Sequence, residues 1–129
     1  MVWTMAALLA LFEQLDDYVS TLEGDAIVIT NEDGIESYLT VSGEQILVEA
    51  LLFPHTQVKD TAALNDEILR THAAFPLSTV GVRRVNDLDY YTAFGALSSQ
   101  SKEESILIEV EALYQNISDM LTAYSPHLH

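Results

Sequence analysis

The chain has 129 residues, 49% of them apolar, with no cysteine and a formal charge of −15 at pH 7. One domain of this length buries an adequate core, and without cysteine it has neither a disulfide framework nor a thiolate metal site. The charge repels phosphate backbones and anionic lipid headgroups, so direct binding of nucleic acid is not an expected function.

The charge is unevenly spread. Ten acids and no lysine or arginine precede Lys59; from there on, ten acids face five bases. Such a bias bears on solubility and on partners, not on fold. It serves solubility by default. As a binding feature it suits a protein partner with a basic or amphipathic segment. The longest apolar run covers only residues 5–12 and has no basic flank. Neither a membrane-spanning segment nor a signal peptide is therefore expected, and the chain is expected to be cytoplasmic.

The first predicted helix covers about residues 4–20. Thr4 suits its cap, and Met5, Leu8, Leu9, Phe12, Leu15 and Val19 recur at helical spacing. Glu23-Gly24 ends it. Three strands follow. The first, residues 25–30, is rich in branched side chains, and Asn31-Glu32-Asp33-Gly34 turns the chain. The second, residues 35–41, alternates: Ile35, Ser37, Leu39 and Val41 share one face. Ser42-Gly43 makes the next turn. The third, residues 45–53, is apolar on both faces and reads as a central strand covered on both sides. Pro54 stops it.

Asp60 or Thr61 caps a second helix that runs to about residue 74, with Leu64, Ile68, Leu69 and His72 on its inner face. Phe75-Pro76 terminates it. Residues 80–85 and 88–97 read as a hairpin turning at Asn86-Asp87. Leu88, Tyr90, Thr92, Phe94 and Ala96 share one face of its second strand. Ser101-Lys102-Glu103-Glu104 reads as a capping box. The last helix follows, residues 102–124, with Ile106, Val110, Leu113, Ile117, Met120 and Tyr124 at heptad-like steps. Pro126 ends it, leaving His127 and His129 in a tail expected to be mobile.

These elements predict a single α+β domain over residues 1–129. Its order is α-β-β-β-α-β-β-α, with three helices and a five-stranded, mostly antiparallel sheet. No catalytic motif appears, and no cofactor is expected. Asn31 to Gly34 hints at a calcium loop. Aligned on Gly34, however, such a loop begins at Ile29 and ends at Thr40, where acids are needed, so a hairpin turn is the better reading. Paired carboxylates such as Asp16-Asp17 and Glu103-Glu104 fall on expected solvent faces of helices, where no pKa shift is expected. The histidines read as loop, core or tail residues, so no metal site is expected. Asn116-Ile117-Ser118 matches a glycosylation sequon by chance. Candidate partner-binding residues are the aromatic cluster Tyr90, Tyr91 and Phe94 and the stripe Ile106, Val110, Leu113, Ile117 and Met120. Both are sheet or helix core by default.

In element order and acidity the chain resembles the type III secretion chaperone-like fold. Within it, Phe75-Pro76-Leu77-Ser78 and residues 89–98, DYYTAFGALS, resemble blocks of a bacterial family of short acidic proteins, the YjfI-like domain of unknown function. That resemblance carries no catalytic residues. The chaperone likeness implies a non-enzymatic, homodimeric chaperone or adaptor that holds an extended segment of another bacterial protein. The YjfI-like family, often encoded beside phage-shock protein A homologues, implies an alternative: a regulatory partner of a phage-shock-protein-A-like membrane-remodelling protein.

Overall fold

A computed structural model describes residues 2–129. The first helix, α1, spans Met5–Glu13. Thr4 caps it, its side chain accepting from the Ala7 amide at 3.2 Å. Leu8, Leu11 and Phe12 form its buried face.

The helix ends seven residues before the predicted boundary. Val19 belongs instead to a strand, β1, spanning Val19–Glu23, and it is 69% exposed. Two forces explain the early stop. Asp16 and Asp17 would place negative charge at the negative end of a longer helix. The β-branched Val19 and Thr21 lose less in a strand than in a helix. Gly24, at φ +59°, makes the turn into β2, Ala26–Thr30, and Glu23 pairs with Ala26 across it. Glu23-Gly24 therefore joins two strands, and the sheet has six strands where the sequence suggested five.

β3 spans Glu36–Ser42 and β4 spans Gln45–Pro54. The turn before β3 is built by Asn31. Its Oδ1 accepts from the Asp33 amide at 3.0 Å and the Ile35 amide at 2.9 Å, which is an Asx turn. α2 spans Thr61–Thr71; Asp60 caps it through the Ala63 amide. A short 3-10 turn, His72–Ala74, follows. β5, Thr79–Val85, and β6, Leu88–Ser98, form the expected hairpin, with Asn86 and Asp87 both at positive φ.

α3 spans Glu103–Tyr124. The expected capping box does not form. Lys102 occupies the N-cap without a side-chain hydrogen bond. Ser101 instead offers its carbonyl to the Trp3 indole N–H at 2.7 Å. Glu103 and Glu104 still favour the start of the helix through its dipole.

The six strands lie in the order β1-β2-β3-β4-β6-β5, and every neighbouring pair is antiparallel. The sheet's two faces are unlike. Ile27, Ile29, Leu39, Ile46, Val48 and Ala93 point to one face and join a single core with residues of all three helices. Among the described residues no helix packs on the opposite face. β4 is therefore central but covered on one side only: Ile46, Val48 and Ala50 are buried, whereas Leu51 is 40% exposed. The apolar run of β4 resembled a doubly covered strand because both of its faces are apolar, while the chain has helices for only one. Leu69 likewise leaves the predicted inner face of α2 and is 79% exposed; Leu64 and Ile68 carry the packing.

The C-terminal tail is fixed. The Lys59 amide donates to the His127 carbonyl at 2.8 Å and the His129 amide to the Gln57 carbonyl at 2.9 Å. His127 Nε2 lies 3.2 Å from Glu67 Oε1.

Candidate functional site

Two features stand apart from the core. The first is the open face of the sheet. Strand register places Val28, Tyr38, Leu47, Leu51, Tyr90 and Phe94 on it. Val28 and Thr92 are buried there, while Tyr38 and Leu51, opposite them in the register, are exposed. Glu23, Glu36 and Glu49 share this face, and its one arginine, Arg83, is ion-paired with Glu49. The surface thus mixes apolar and charged groups: Glu49 sits between Tyr38 and Phe94 on central β4, its ion pair with Arg83 reaches across β6, and Glu23 and Glu36 add acid toward β1 and β3. Phe94 rests over Gly81, where a Cβ would lie 3.4 Å from the ring, an ordinary contact distance.

The second feature is a pocket of about 480 Å³ between the 72–79 segment, β6 and α3. Phe75, Pro76, Leu77 and Ser78 form one wall and Phe94, Gly95 and Ala96 another. These are the two sequence blocks singled out above, brought together by the sheet. Glu109 of α3 also lines the pocket. It is only 4% exposed, and its Oε2 has no hydrogen-bond partner among the described residues. Burial raises its pKa above the ordinary 4.5. The carboxyl fits because residue 95 has no side chain: a Cβ there would lie 2.8 Å from Glu109 Oε1 and 3.2 Å from the Leu77 carbonyl oxygen.

The wall that carries Leu77 is held under strain. Leu77 has φ +69°, a conformation unusual for a bulky side chain. Asn116 secures it: Nδ2 donates to the Pro76 carbonyl at 2.8 Å and to Ser78 Oγ at 2.9 Å. The sequon asparagine is therefore a buried structural residue.

The proposed partner-binding residues divide between core and surface. Ile106, Val110, Leu113, Ile117 and Met120 are all buried in the chain's own core, so this fold gives a partner no access to that stripe. Tyr91 is also core; it stacks obliquely on Phe53, and its hydroxyl donates to Asn65 Oδ1 at 2.6 Å. Tyr90 and Phe94 remain half-buried on the open face. Glu109 is not among the candidate residues that the sequence supplies. Its position, three residues after Ile106 and four before Leu113, does put it beside the apolar stripe, with Asn116 one heptad further on. Among the described residues no three histidine, aspartate or glutamate side chains gather as a metal site, and no helix is long and apolar enough to cross a membrane.

A family model described as an uncharacterized protein conserved in bacteria, DUF2170, matches residues 2–128. The chain belongs to this family. The protein YjfI of Escherichia coli K12, itself described as uncharacterized, is 28% identical over 133 residues covering both chains in full, and YjfI of E. coli O157:H7 matches equally. Two solved structures share the fold. One is E. coli YbjN, described as a candidate transcription regulator: TM-score 0.76, 17% identity, covering 98% of this chain and 95% of that one. The other comes from the HopA1-SchA chaperone–effector complex: TM-score 0.65, 14% identity, covering 89% and 90%. At these identities the likeness concerns fold alone. It bears out the chaperone-like architecture, corrected to six strands.

Proposed function

We propose that this protein is a non-enzymatic adaptor or chaperone that holds a basic, amphipathic segment of another bacterial protein on the open face of its sheet. The observation that carries the reading is the asymmetry of that sheet. Three helices cover one face, and the other presents Tyr38, Leu51 and Phe94 interleaved with an excess of acids, Glu23, Glu36 and the Arg83-paired Glu49. Aromatic and apolar groups supply contact area at interfaces, and opposite charge supplies steering. The fold shared with a chaperone–effector complex points the same way. The non-enzymatic reading is supported by the role of Ser78, whose Oγ accepts from Asn116 in a bond that holds the pocket wall.

A synthetic lysine-rich amphipathic peptide tests this, with an acidic peptide of equal length as control. Amide shifts should cluster on β3, β4 and β6, and affinity should fall steeply with salt. Scattered shifts, or equal binding of the acidic peptide, would overturn the reading. Affinity purification from the host then names the partner. A coiled-coil, membrane-remodelling partner would make the adaptor a regulator of it. We further propose a homodimer, formed through an unpaired edge of β1 or β5 so that the open face stays free. Light scattering showing a strict monomer at high concentration would remove that part.

A further inference from the structure

We propose that the pocket between the 72–79 segment and α3 receives one organic cation, the ammonium or guanidinium end of a partner's lysine or arginine, with Glu109 as its buried acceptor. This rests on the adaptor reading and gives it an anchor point.

Three observations carry it. First, Glu109 is almost fully buried yet has an oxygen without a partner. Buried polar groups are nearly always hydrogen-bonded, and this carboxyl also lines a pocket, the side from which a donor from outside can approach it. Second, the surroundings suit a cation. The Leu77 carbonyl oxygen approaches the same point over Gly95 as the carboxyl does, which adds a second acceptor. Phe75 and Phe94 supply aromatic walls, to which cations are attracted. No lysine or arginine lines the pocket to satisfy Glu109 from within. Third, the wall is built under strain and then fixed by Asn116. Strained backbone held by its surroundings is a recurrent property of ligand clamps.

The proton balance is simple. Where Glu109 is protonated, binding of an alkylammonium forms the carboxylate–ammonium pair and releases the carboxyl proton to solvent. His72 is the other titratable group lining the pocket. Binding should therefore tighten as pH rises through the Glu109 transition.

The test uses the whole chain and three probes of matched size: n-butylammonium, n-butylguanidinium and neutral 1-butanol. Saturable amide shifts should appear at Leu77, Ser78, Gly95 and Ala96 with the two cations and not with butanol. Glu109→Gln keeps the shape and removes the charge; it should weaken cation binding by about tenfold or more. Its unperturbed amide spectrum verifies the fold. Independently, the carboxyl carbon of Glu109 should titrate at lower pH when either cation saturates the wild type. Equal binding of butanol, shifts confined to other surfaces, or undiminished cation binding by Glu109→Gln would overturn the proposal. The lysine-rich peptide separates this from the adaptor reading. If the peptide binds the open face equally well in Glu109→Gln, the pocket is not its anchor and the adaptor reading stands. If the cations bind but the peptide does not, the adaptor reading falls and the cation site stays without its proposed source.

Discussion

Tyr114 and Glu109 lie five residues apart on α3, and both bring a polar atom into the interior. Their surroundings differ. The Tyr114 hydroxyl donates to the Ile29 carbonyl at 2.6 Å and lies 2.8 Å from Ser37 Oγ, so it is satisfied from two strands. Burial pushes its pKa up to about 12, even though the Ser37 bond pulls the other way. Glu109, at the β6 end, has an unpartnered oxygen and a pocket beside it. A polar group that closes its hydrogen bonds inside the chain tightens the fold. One that leaves a bond open costs stability, and the fold keeps it beside an opening to solvent. The β2–β3 side of the helix is finished structure, and the β6 side leaves one bond open.

Breaking the finished side should have the largest effect. Leu113, buried between the two sites, anchors the core stripe. Leu113→Ala should cost about 2–5 kcal/mol, a large share of the roughly 5–15 kcal/mol that holds a domain together. Urea denaturation at pH 7 measures it. A loss below about 1 kcal/mol would mean that the stripe is not core. Tyr114→Phe comes next. It leaves the Ile29 carbonyl without this buried donor, and it should cost about 1–3 kcal/mol by the same measurement.

These expectations rest on elements that were legible in the sequence to different degrees. The α3 stripe could be read because heptad-like spacing over many turns has few alternatives. The β5–β6 hairpin could be read because Asn86-Asp87 tolerates positive φ. β1 could not, since Leu15 and Val19 happen to continue the spacing of α1, and the pairing that makes Val19–Glu23 a strand comes from β2. The open face was half visible. Its alternation in residues 88–97 was plain, but which face lacks a helix depends on where all three helices dock. Glu109 was invisible for a related reason. Its burial is caused by Gly95 and Leu77, which are distant in sequence, and its place beside the α3 stripe does not by itself tell a buried acid from one at the stripe's edge.

Glu109→Gln should act in the opposite direction to Tyr114→Phe. The sign follows from linkage. The folded-state pKa is raised above the ordinary 4.5, with burial as the cause. The folded chain therefore holds its proton more tightly than the unfolded one. The stability this gives is fully present below pH 4.5 and is lost as pH rises through the raised folded value. Glutamine carries no such proton. At pH 7 the variant should match or exceed the wild type in urea midpoint, and its stability should lack the part of the wild type's decline above pH 4.5 that comes from Glu109 losing its proton. A clear loss of stability at pH 7 would mean that the carboxylate has a partner in the fold, and the contrast with Tyr114 would disappear.

The smallest change in stability is expected on the open face, and there it separates folding from binding. Tyr38 and Leu51 are 38% and 40% exposed, and neither belongs to the core shared with the helices. Replacing Leu51 by Ser removes apolar surface that water already reaches, so the cost should stay near 0.5 kcal/mol. Tyr38 lies opposite both Val28 and Glu49 in the strand register, so Tyr38→Ser uncovers Val28 and should cost somewhat more, about 1 kcal/mol. Both changes should nevertheless weaken the lysine-rich peptide. Leu69→Ser, at a position 79% exposed on α2, supplies the control: equally little effect on stability and none on the peptide. If Leu69→Ser weakened the peptide as much as Leu51→Ser did, exposed apolar area in general would be the cause, and the uncovered face would lose its claim to be the binding surface. If Leu51→Ser alone cost several kcal/mol, that face would be packed more tightly than its exposure indicates, and the contrast between a finished side and an open one would have to be redrawn along β4.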